Sequence, residues 1–140
     1  MSAAATEFTR LNADWNAEPN APDPRATVVG TELVLEFAPN PFLYKRFSPD
    51  QRVRLIFSGT WRYRMGSVND EGWYGGQCRF SRLAPTWGEF YEVRGDLRLA
   101  LCPNDWICLA SEPPPSSRHF LFYFRDEEFE CDAVAWRFVE

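Results

Sequence analysis

"RVRLIFSGTWRYRM", residues 52–65, alternates without a break for fourteen positions. Val53, Leu55, Phe57, Gly59, Trp61, Tyr63 and Met65 fall on one side, and Arg52, Arg54, Ile56, Ser58, Thr60, Arg62 and Arg64 on the other. Successive side chains of a strand point to opposite faces of its sheet, so a period of two held this long predicts one strand with one buried face. Gly59 has no side chain to pack and marks where such a strand bends or bulges.

The flanking sequence is also β-like. "ATVVGTELVLEF" (26–37) reads as a hairpin turning near Gly30 and Thr31, with Leu33, Leu35 and Phe37 on one face. "APNPFLYKRFSPDQ" (38–51) is a proline-punctuated connection that admits a short helical turn over residues 42–47. "GEFYEVRGDLRLALC" (88–102) offers two short strands about Gly95 and Asp96, and "DWICLA" (105–110) another. "SEPPPSSR" (111–118) is a loop, because three consecutive prolines cannot join a ladder.

The C-terminal stretch "RHFLFYFRDEEFECDAVAWRFVE" (118–140) reads as an antiparallel hairpin turning at Asp126 and Glu127. Both faces of its first strand are largely apolar, which places it centrally. In its second strand the apolar phase changes near Ala133, the sign of a bulge. No segment holds a helical period over three turns. Residues 1–140 are therefore expected to form one mainly β domain, an antiparallel sandwich or partly closed barrel of about seven to eight strands with little helix. Residues 1–25 form a Pro-rich N-terminal arm, packed on the domain or frayed from it. Trp15 is the residue that would anchor it.

Composition narrows the function classes. Twelve Phe, six Trp and five Tyr supply a large core, so a chain of 140 residues needs no disulfide or metal to fold. The net charge of −5 argues against nucleic acid as partner. It is unevenly spread: residues 51–100 carry eight basic and five acidic groups, residues 101–140 three and eight. The chain shows neither a leader pattern at its start nor an apolar run long enough to span a membrane. It reads as cytoplasmic, with no membrane partner. The spacing of Cys78, Cys102, Cys108 and Cys131 matches neither a redox nor a zinc motif, so no metal and no cofactor are expected.

No catalytic residue is assigned. His119 is the only histidine, so any Ser-His or Cys-His mechanism would have to use it, but no nucleophile motif accompanies it. The aromatic, glycine-rich stretch "SVNDEGWYGGQCRF" (67–80) reads first as a connection and second as the edge of a cleft. If a site exists near residues 69–91, its binding residues are Asp70, Glu71, Trp73, Tyr74, Trp87, Glu89 and Tyr91, with His119. Carboxylates with aromatic walls would suit a carbohydrate-like ligand or its hydrolysis. Against this, Glu89 and Glu92 should fall on opposite strand faces. Arg52, Arg54, Arg62 and Arg64 form a possible face for an anion or a partner. The favoured reading is that they pair across strands with the protein's own acids, such as Glu130 and Asp132.

The blocks "LNADWNAEPNAP", "NPFLY", "YRMGSVNDEGWYGGQCRFS", "WGEFYEVRGD" and "HFLFYFRDEEFECDA" together resemble a set of small single-domain bacterial proteins of unknown function. The resemblance spans nearly the whole chain. It implies a bacterial cytosolic protein whose arm belongs to the domain, and it brings no activity. The functional expectation is a non-enzymatic binding module, in its most concrete form an immunity-type protein that holds a toxin through an acidic patch. The alternative is a small-molecule binder or hydrolase using the cleft near residues 69–91. Self-association is the third expectation.

Overall fold

Residues 52–65 form two strands in two different sheets. The computed structural model describes residues 6–67, 80, 86, 88–95 and 103–140. Its strands are β1 (Glu7–Arg10), β2 (Arg25–Val29), β3 (Glu32–Phe37), β4 (Val53–Ser58), β5 (Arg62–Ser67), β6 (Phe90–Arg94), β7 (Ile107–Cys108), β8 (Arg118–Tyr123), β9 (Glu127–Ala133) and β10 (Ala135–Val139). They build a six-stranded sheet in the order β1-β6-β8-β9-β5-β7 and a four-stranded sheet in the order β10-β4-β3-β2. Every pairing is antiparallel. The described residues contain no helix; residues 42–47 make turns, with Tyr44 N–H donating to Asn40 O. The expected β-sandwich class is present. The second strand expected over residues 97–102 lies outside the described residues.

The continuous strand expected over residues 52–65 is corrected at Gly59. β4 pairs with β10, whereas β5 pairs with β9 in the other sheet. The two long segments 53–67 and 127–139 therefore run side by side and change sheet together, as strands do at the corners of packed sheets. The phase change read near Ala133 is the same event, falling at Val134 between β9 and β10. Gly59 has φ of 62°, and a Cβ there would lie 2.8 Å from Val134 Cγ2. Backbone hydrogen bonds close the corner: Val134 N–H to Ser58 O at 2.9 Å, Trp61 N–H to Asp132 O at 2.9 Å, and Thr60 N–H to Thr31 O at 3.1 Å. Trp61 leaves the buried row at this bend and lies over Arg62 instead.

The core fills the space between the sheets. Leu33, Leu35 and Phe37 of β3 and Val53, Leu55 and Phe57 of β4 meet Phe90, Phe120, Phe122, Phe129 and Cys131 of the larger sheet. These positions alternate along each strand, which is why the period of two was readable. Trp15 closes the sandwich, stacked on Phe138 with centroids 4.3 Å apart and in ring contact with Phe37, Phe90 and Phe122. The arm is held by more than this ring. β1 pairs with β6, Asn40 N–H donates to Asn16 O, and buried Asn12 donates to Trp15 O while accepting from Phe90 N–H.

Gly59→Ala should destabilise the fold by about 2–4 kcal/mol, from a left-handed φ and a methyl clash together. Val134→Ala in the same chain should recover part of that loss, because it removes the nearest atom but leaves φ unchanged. Urea unfolding of the two single variants and the double variant measures the coupling.

Candidate functional site

β9 carries Glu128, Glu130 and Asp132 on the face of the large sheet turned away from the sandwich core. β5 places Arg62 and Arg64 on the same face, since Arg62 is the register partner of Asp132 and Arg64 of Glu130. His119 of β8 lies on the other side of Asp132 in register. The result is a chain of alternating charge. Arg62 Nε donates to Asp132 Oδ2 at 2.6 Å, His119 Nδ1 lies 2.7 Å from Asp132 Oδ1, and His119 Nε2 lies 2.7 Å from Glu130 Oε1. Arg64 then donates to Glu130 at 2.9 Å, Glu128 at 3.2 Å and Asp105 at 2.7 Å.

Both carboxylates beside His119 are acceptors, so the form that satisfies them is the imidazolium, donating from both ring nitrogens. Burial alone would lower its pKa. The hydrogen bonds and charges of Asp132 and Glu130 outweigh burial and raise it from 6.5 to about 9. The same bonds, with Arg62, hold Asp132 below its ordinary value although burial pushes it up. Burial also opposes the charge on Arg64, and Asp105, Glu128 and Glu130 override it. Aromatic rings enclose the ladder: the Arg62 guanidinium lies 4.2 Å from the Trp61 ring centroid and 4.1 Å from that of Trp106, while Trp106 and Phe80 approach His119 edge-on.

This arrangement decides the role of His119. A ring with both nitrogens donating to carboxylates has no lone pair for a substrate proton, so it cannot act as a general base. Arg62 and Arg64 are likewise engaged by β9, and Arg52 by Glu36 at 3.0 Å. Arg54 is exposed on β4.

Among the described residues, two cavities adjoin the sheet. One, of about 540 Å³, sits at the sheet-switching corner between Trp61, Glu92, Arg94, Ser117, Arg118 and His119. The other, of about 780 Å³, lies between the arm and the 40s turn and is lined by Asn16, Phe42, Leu43, Glu89, Tyr123 and Arg125. Glu89 and Glu92 therefore face different cavities and do not form an acid/base pair. Glu89 is bound to the Asn12 amide and lies 3.4 Å from Arg10. Glu92 accepts from Arg118 Nε at 3.0 Å and from its Nη2 at 2.7 Å, and these bonds pull its pKa down. The Tyr91 hydroxyl donates to Thr86 O and accepts from Thr86 N–H; burial raises its pKa. Asp70, Glu71, Trp73, Tyr74 and Trp87 lie outside the described residues.

Sequence reading missed Arg94, Ser117, Arg118 and Trp106 as site residues. No motif marks them; they converge only because β6, β8 and the loops around them meet at one corner. Among the described residues no group of three or more His, Cys, Asp or Glu is arranged to hold a metal ion. Comparison of the chain with protein-family models, with curated proteins and with solved structures finds no match.

His119 binds its proton more tightly folded than unfolded. Its stabilisation should thus be complete below about pH 6.5 and fade as pH rises through about 9. The loss is on the order of 3 kcal/mol. Urea unfolding across that window should show the fall in the wild type and a nearly flat, lower stability in His119→Gln.

Proposed function

We propose that this protein is a non-enzymatic binding module for a protein partner, engaged at the cleft between the arm and the 40s turn. The observation that carries this reading is the pair Phe42 and Leu43, side by side and 59% and 67% exposed on the cleft rim. They are not frayed. Asn40 Oδ1 accepts from both backbone N–H groups, at 2.9 and 3.2 Å, and fixes the turn that presents them. Large apolar side chains held in water by a built turn are what interfaces use as anchors. Asn16 lines the cleft, and among the described residues its Oδ1 has no partner, an acceptor that a donor from the incoming chain would satisfy.

An immunity-type role, with a toxin as the partner, is the concrete form we favour. Its recognition would rest on this apolar rim more than on an acidic patch, because Glu128, Glu130 and Asp132 are engaged by Arg62, Arg64 and His119. The same pairings remove the basic stripe that a nucleic acid would need. Free thiols at Cys108 and Cys131 suit a reducing cytoplasm. No helix among the described residues is long and apolar enough to cross a membrane. Edge strand β2, with Val28 and Val29 exposed, favours self-association as a second reading.

Co-purification from the native host should recover one protein in stoichiometric amount, and the complex should re-form from the two purified chains. The double variant Phe42→Asp, Leu43→Asp should weaken that complex at least about tenfold while leaving the fold intact. Equal affinity in the variant would remove the cleft as the interface. A concentration-dependent dimer by light scattering, insensitive to these two residues, would favour the β2 edge.

A further inference from the structure

The corner cavity has a chemistry of its own, unlike that of the apolar rim. Its acidic walls are saturated. Glu92 accepts from Arg118 at both oxygens and from Arg94 at one, while Asp132 accepts from Arg62 at one oxygen and lies against His119 at the other. What is left over is donors. Among the described residues Trp61 Nε1 and Ser117 Oγ find no hydrogen-bond partner, and both residues line this cavity. An indole N–H can only donate, and a hydroxyl can donate. Arg94 gives Glu92 only its Nε, at 3.2 Å, and its side chain is 65% exposed, so both terminal amino groups remain for another acceptor. Arg118 uses Nε and one amino group on Glu92 and keeps the other.

Buried donors without acceptors are costly, and guanidinium groups bind oxyanions through paired charge-assisted hydrogen bonds. A cavity of about 540 Å³ is within the size range of small-ligand sites. We propose that this corner is an oxyanion-binding site, taking the carboxylate or phosphate group of a small molecule between Arg94, Arg118, Ser117 and the Trp61 indole edge. The ligand's negative oxygens would satisfy the leftover donors at the point where the two sheets share a bend. Among the described residues, Val93, Gly95 and Pro113 offer an apolar stretch of wall for the rest of the ligand.

The test follows the Trp61 indole resonance of the ¹⁵N-labelled full chain, assigned by its loss in Trp61→Phe. Inorganic phosphate and acetate are added in separate titrations, each against sodium chloride at matched ionic strength. A saturable shift of this resonance with phosphate, acetate or both is the expected result, and the stronger arm identifies the headgroup. Arg94→Gln, an exposed change that leaves the core intact, should weaken binding about tenfold. Arg25→Gln, on β2 beside Asp23, should leave it unchanged. Shifts no larger than those of chloride, or a shift indifferent to Arg94→Gln, would overturn the assignment. The Phe42→Asp, Leu43→Asp variant should bind the anion normally, so failure at either site leaves the other standing.

Discussion

Val134 occupies the space where a side chain at Gly59 would stand. Because that space is filled, two neighbouring strand segments can bend at one level and pass together from the small sheet to the large one. Everything else in the molecule is positioned by this shared bend. Below it, β4 and β10 bring Leu55, Phe57, Trp136 and Phe138 into the sandwich. Above it, β5 and β9 begin their pairing from the bond between Trp61 N–H and Asp132 O. That bond sets the register in which each arginine of β5 faces an acid of β9. A slip of one residue would turn Arg62 and Arg64 toward Phe129 and Cys131, so the corner and the ladder specify one another.

The ladder is a demanding way to cover a sheet. Its members lose water, and only close pairing of opposite charges offsets that loss. The geometry meets the condition. Arg62, His119 and Arg64 supply three cations, interleaved with Asp132, Glu130 and Glu128, and Asp105 adds a carboxylate at the exposed end. An apolar face would hold the strands at least as strongly but would not distinguish one register from the next. Removing His119 leaves Asp132 and Glu130 each with an arginine but takes the donor from Asp132 Oδ1 and Glu130 Oε1, which is why His119 is structurally central although it is chemically closed.

Much of this was readable in the sequence as faces, and little of it as neighbours. Alternation at residues 33–37 and 53–57 identified core-facing positions that are buried in the structure, because side-chain period is a property of a single strand. The pairing of Arg62 and Arg64 with Glu130 and Asp132 was one of two readings open from the charge pattern. Sheet switching was legible only as a bend: Gly59 marked the place, but alternation runs unbroken through it, and Val134, 75 residues away in sequence, shows why the chain must turn there. His119 invited a catalytic reading because it is the sole histidine. Its two carboxylates come from the adjacent strand, and no spacing within β8 announces them. The corner cavity has the same origin, since Glu92, Arg118 and Trp61 come from three segments that only the fold brings together.

The two cavities differ because the two ends of the sandwich are closed differently. At the arm end, Trp15 and Asn12 use most of the local hydrogen-bonding capacity inward, leaving an apolar rim and, among the described residues, one unpaired acceptor on Asn16. At the corner the backbone closes the core, and side chains are left to settle the charges. His119 and Asp132 neutralise each other there, as do Glu92 and Arg118, so the net attraction for an anion falls to Arg94 and to the dipoles of Trp61 and Ser117. A site of this kind is weakly charged yet rich in directed donors. Its preference should follow hydrogen-bond geometry more than ionic strength, since close donor contacts are screened far less than long-range charge attraction.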